Sequence, residues 1–134
     1  MREIKFRAWD SSRKKMLSWE AITDMDVWMI LHGSRPNQTP LQYTGLKDKN
    51  GVEIYEGDVV QVNTGNRDTG GIGEVEWFES GSNFAVVGIR NKPHQHGVPD
   101  MCEKGCMYHQ LAEIIARHSE VIGNIYENPE LLNG

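Results

Sequence analysis

The stretch Leu41–Val62, LQYTGLKDKNGVEIYEGDVVQV, decides the fold. It reads as two short extended pieces around a tight turn, followed by a glycine that launches a further strand. Lys49-Asn50-Gly51 supplies the turn, because Asn and Gly tolerate the positive φ that tight reversals need. Gly57-Asp58 breaks the chain again just before the β-branched run Val59-Val60, with Val62 following Gln61. Working outward from here, the neighbouring segments read as short strands and turns.

Toward the amino terminus, Arg2 to Trp9 alternates. Ile4, Phe6 and Ala8 fall on one face and Lys5, Arg7 and Trp9 on the other, the pattern of a half-buried strand. Asp10-Ser11-Ser12-Arg13 has turn chemistry, and Lys15 to Trp19 reads as the return strand of a hairpin. Residues 20–32 fit two patterns. Ile22, Met25 and Met29 suit a helix face, whereas Met25, Val27, Met29 and Leu31 suit a strand. The reading leans to a helical turn followed by a strand and leaves helix against strand open. Gly33 to Pro40 is a proline-containing loop.

Toward the carboxyl terminus, Asn63 to Ile72 is a glycine-rich polar loop and Gly73 to Glu79 a strand. Asn83 to Ile89 is a strand with two apolar faces, as a central position requires. Asn91 to Gly105 is a loop. Met107, Leu111, Ile114 and Ile115 fall at helical spacing, and Val121 to Tyr126 forms a last strand. From Gly57 onward the order is three strands, a short helix and a closing strand. We therefore expect one domain spanning residues 1–134, mainly β with one short helix, in an SH3-like bent barrel carrying an added amino-terminal β-hairpin. Val59, Val75, Leu111, Ile114 and Ile125 are its expected shared core.

Composition narrows the functional classes. The 134 residues carry a net charge of −5, which disfavours general nucleic-acid binding, since phosphate neutralisation needs clustered cations. The longest apolar run, Val27 to Leu31, is far short of a membrane span, so no membrane role is expected. No apolar signal segment follows Met1, and two cysteines make no disulfide framework. The expected compartment is a reducing cytoplasm.

The central stretch, with the opening REIKFRAWD and the closing VIGNIYENPELL, resembles the YopX family of bacteriophage and prophage proteins. The resemblance covers residues 2 to about 19, 41 to 62 and 121 to 132, and TGLKDKNG and YEGD carry it most specifically. It implies a phage or prophage origin, a mostly β fold and expression inside a bacterial cell. It implies no substrate and no catalytic residue.

Three groups of residues invite a functional reading. His94, His96, Cys102, Cys106 and His109 are zinc-type ligands, but the one cysteine pair is spaced Cys-x3-Cys, so no metal is assigned. Asp48, Glu53, Glu56 and Asp58 could hold Mg²⁺ or divide acid and base roles. No lysine follows downstream at nuclease spacing, and Asp48 and Asp58 sit where an aspartate satisfies loose backbone N–H groups. Lys5, Arg7 and Trp9 share one face of a basic amino-terminal strand. Cations beside an exposed indole can meet a partner or grip phosphate. The expectation is a non-enzymatic protein-binding module, with a host protein among its candidate partners, using Lys5, Arg7 and Trp9, with no catalytic residue and no cofactor. The alternative is a nucleic-acid-binding accessory protein using the basic hairpin. Oligomeric state is left open.

Overall fold

The computed structural model describes residues 3–24, 27–63, 71–78, 83–88 and 108–133. Among these described residues nine strands fall into two antiparallel sheets, as the mainly β expectation requires. In the first sheet, β1 (Phe6–Asp10) pairs with β2 (Lys15–Leu17) on one side and with β3 (Gln38–Lys47) on the other. β3 then turns into β4 (Glu53–Tyr55). The expected hairpin thus forms, and it extends β3. The expected loop after Gly33 ends early, because Gln38 already pairs with Asp10.

The β3–β4 reversal is held by Asp48, whose Oδ1 accepts from the backbone of Asn50 at 2.8 Å and of Val52 at 2.9 Å. Gly51 takes the positive φ (+81°), while Asn50 does not. Gly57, at φ +86°, swings the chain into β5 (Asp58–Val62), as its place before Val59-Val60 implied.

The second sheet has the order β8-β7-β6-β5-β9, with β6 Gly71–Phe78, β7 Asn83–Gly88, β8 Tyr108–Gln110 and β9 Ser119–Asn124. The closing strand β9 returns alongside β5, past a bulge at Val59/Val60, and the sheet curls into a half-barrel. Ile54, Val60, Val62, Val75, Val86, Leu111 and Ala116 fill it, with Leu46, Phe84, Ile115 and Val121 packed against them. Leu46 and Ile54 come from the β3–β4 hairpin, which is thereby shared between the two sheets.

Two expectations about helices are corrected. Residues Val27–Leu31 form a helix, α2, not a strand, after α1 (Trp19–Thr23), which Ser18 caps through its hydroxyl on Ala21 N at 3.2 Å. The reason is phase: Val27 and Ile30, three apart, both face the cluster of Ala8, Leu17, Ile22 and Ile30 beneath the first sheet. The last α-helix, α3, is only Glu113–Arg117, because Tyr108–Gln110 is drawn into the sheet by pairing with β7. Ile115 and Ala116 therefore face the core and Ile114 is exposed, contrary to expectation. Ile125 lies just past β9 and is half-buried.

Candidate functional site

Alternation does place Lys5, Arg7 and Trp9 on one face, but β1 is covered on both sides. Ala8 points into the helical layer, and the opposite face meets residues from β4, β5 and the segment after β9. The Arg7 guanidinium donates to Asp58 Oδ1 and lies 4.6 Å from the centre of the Tyr55 ring. The Lys5 ammonium sits between Glu3, at 3.0 Å, and Glu53, and 5.0 Å over the Tyr43 ring. Trp9 stacks on Tyr126 with centroids 5.5 Å apart. All three are half-buried and engaged within the chain.

The electrostatics of this face follow from its pairs. Hydrogen bonds to Glu53 and then Glu3 push the Lys5 pKa up. Burial, reinforced by the Glu53 charge, pushes the Tyr55 hydroxyl up to about 12. Burial also raises the Asp58 carboxyl, and the Arg7 charge and the Tyr55 N–H, donating at 2.8 Å, only partly offset it. An open cleft of about 270 Å³ borders the face, with Lys5, Arg7, Trp19, Glu53 and Tyr55 in its lining.

The four candidate carboxylates are likewise engaged. Asp48 accepts from Val121 N at 2.9 Å through Oδ2, besides its two turn bonds. Burial opposes its charge, but the three N–H groups outweigh burial and hold the carboxyl below its usual value. Glu53 pairs with Lys5, and Glu56 accepts from Gln42 N at 3.3 Å. Among the described residues no group of three or more His, Cys, Asp or Glu is arranged to hold a metal ion. His94, His96, Cys102 and Cys106 lie outside the described residues. His109 is described only as a backbone position of β8, paired with Val86.

Two features escape the sequence reading. The first is the outer face of α2, where Trp28 is 67% exposed and Met29 and Leu31 stand beside it. Trp28 stacks on His32 at 5.0 Å. The apolar run Val27–Leu31 was visible, but its helical phase was not. The second is a cleft of about 300 Å³ between the β1–β2 turn and the loop after α2, lined in part by Asp10, Arg13, Arg35 and Gln38. Hydrogen bonds from Ser12 and Arg13 hold the Asp10 carboxyl down at about 2.

Solved structures share this architecture. Protein EF1440 from Enterococcus faecalis is 24% identical, with a TM-score of 0.52 over 98% of this chain and 99% of that one. Protein yopX from Bacillus subtilis is 19% identical, with a TM-score of 0.55 over 100% and 98%. At these identities the likeness concerns the fold. No curated protein matches the chain. The family model described as YopX protein matches residues 5–133, which takes in both sheets and the helices between and after them; the chain belongs to the YopX family.

Proposed function

We propose that the chain is a small, non-enzymatic module that binds another protein in the cytoplasm of a bacterial cell, docking through the outer face of α2. The observation carrying this reading is the exposure of Trp28 beside Leu31 and Met29. Tryptophan and methionine are enriched at interfaces, and a two-thirds exposed indole is costly to keep in water without a partner. The carboxylates of Asp48, Glu53 and Asp58 are engaged with backbone N–H groups or cations, which supports the non-enzymatic reading. No helix among the described residues is long and apolar enough to cross a membrane.

The test is affinity capture with Trp28→Ala and Trp9→Ala proteins. Trp28→Ala should keep a near-normal melting temperature and lose the partner. Trp9→Ala should lower the melting temperature, because its half-buried ring is stacked on Tyr126. Unchanged capture by Trp28→Ala overturns the reading. The nucleic-acid alternative now rests on Arg13, Lys14 and Lys15, exposed at the hairpin tip, since Lys5 and Arg7 are paired internally. A salt-dependent shift on DNA or RNA that is lost on neutralising that tip would favour it.

A further inference from the structure

The cleft beside the β1–β2 turn holds one carboxylate and two guanidiniums, and the carboxylate is already occupied. Asp10 Oδ1 accepts from Ser12 N at 3.0 Å, Ser12 Oγ at 2.6 Å and Arg13 N at 3.1 Å. Its Oδ2 accepts from Gln38 Nε2 at 3.3 Å. Arg13 touches Asp10 loosely, with Nε 3.9 Å from Oδ2 and a side chain 70% exposed, so its guanidinium can turn toward a ligand.

Arg35 is different. It is half-buried, no ion pair to a described acid accompanies it, and its Nε is out of reach of solvent with no acceptor among the described residues. Gln38 Oε1, on a residue lining the same cleft, is buried with no donor among the described residues. The bond from Gln38 Nε2 to Asp10 fixes the amide so that Oε1 is the atom left over. Buried polar groups left without partners are disfavoured, and here a donor and an acceptor are left over on two residues that line one cleft.

We propose that this cleft binds a phosphate group, free or as the monoester of a small molecule. The guanidinium fork of Arg35, joined by Arg13, matches the tetrahedral oxygens of phosphate. A singly protonated phosphate oxygen also brings the O–H donor that Gln38 Oε1 lacks. Carboxylate and sulfate bring acceptors alone. A volume of about 300 Å³ suits a small phosphorylated molecule, not a polymer. The site is independent of the α2 face and stands whether or not that face docks a protein.

The test titrates the full chain at pH 6.5 and constant ionic strength with inorganic phosphate, glycerol 3-phosphate and sulfate in separate arms. The readouts are the Arg35 Nε–H resonance and the melting temperature. Phosphate or its ester should shift the resonance saturably, and whichever binds tighter identifies the source. Sulfate should bind at least about fivefold more weakly, lacking the donor. Arg35→Gln should weaken binding by about tenfold or more, and Arg35→Lys by less, since it keeps the charge without the fork. Arg117→Gln, on exposed α3, should change nothing. The lysine variant keeps the test decisive if the glutamine variant folds poorly. A non-saturating response, equal binding of sulfate, or unaltered phosphate binding by the Arg35 variants overturns the proposal.

Discussion

Arg7 and Asp58, 51 positions apart in the chain, form an ion pair that ties the first sheet to the second. The two side chains are 17% and 1% exposed, so neither charge is well hydrated. Asp58 Oδ2 also accepts the Tyr55 N–H, which makes the same carboxylate the hinge between β4 and β5.

Removing one partner of that pair strands the other. Arg7→Leu is expected to cost about 3–5 kcal/mol in urea unfolding, because an uncompensated buried carboxylate remains. Without the guanidinium the Asp58 carboxyl rises further, so the folded form holds its proton more tightly than the unfolded chain. The deficit of Arg7→Leu should therefore be smaller near pH 4 than at pH 8. Adding Asp58→Asn should recover part of it, since the amide oxygen still accepts from Tyr55. An Arg7→Leu protein within about 1 kcal/mol of the parent would show that the pair does not hold the sheets together.

Acid sensitivity follows from Asp10. Its carboxyl falls from 3.8 to about 2 through bonds from Ser12 and Arg13, with a further one from Gln38. A depressed folded pKa gives stability that is present above the unfolded value and lost as the pH falls through the folded one. The melting temperature should therefore decline between about pH 4 and pH 2, and Asp48, also lowered, adds to the same limb. Asp58, raised by burial, has the opposite sign and loses its contribution as the pH rises through its folded value. Asp10→Asn should flatten the acid limb measured by thermal melts. An unchanged slope would refute the assignment.

Gly51 and Gly57 share a left-handed backbone but differ in surroundings. A Cβ on Gly51 meets nothing within 4 Å, whereas one on Gly57 meets Tyr126 Cε2 at 3.2 Å and Leu41 at 3.7 Å. Gly51→Ala should cost only the backbone strain of roughly 1–2 kcal/mol. Gly57→Ala adds crowding at the junction of both sheets and should cost about 3 kcal/mol. Equal losses in denaturant melts would mean that the junction has room to spare.

The phase of α3 can be read by charge insertion. Ile114 is 66% exposed and Ala116 is buried. Ile114→Asp should stay within about 0.5 kcal/mol of the parent, while Ala116→Asp should prevent cooperative folding by burying an unpaired charge. Circular dichroism melts of the two variants distinguish this phase from the one expected from Met107, Leu111 and Ile114.

What the sequence by itself determined is local. The β3–Gly51–β4 reversal, the Gly57 swing into β5, the amino-terminal hairpin and the backbone-satisfying role of Asp48 all depend on groups within a few positions of each other. Backbone conformation and turn hydrogen bonds are short-range, so residue type and spacing suffice to read them. What only the tertiary structure decided is which face is covered. Lys5, Arg7 and Trp9 alternate correctly, yet their partners are Glu53, Asp58 and Tyr126, brought in by later strands. Trp28 and Ile114 are apolar residues left outside, because the phases of α2 and α3 are set by what their neighbours bury. Gln38 meets Asp10, and Arg35 joins them around one cleft, only once β3 pairs with β1. Alternation predicts two faces for a strand, but solvent exposure is a property of the assembled sheets, fixed by contacts with no counterpart in local spacing.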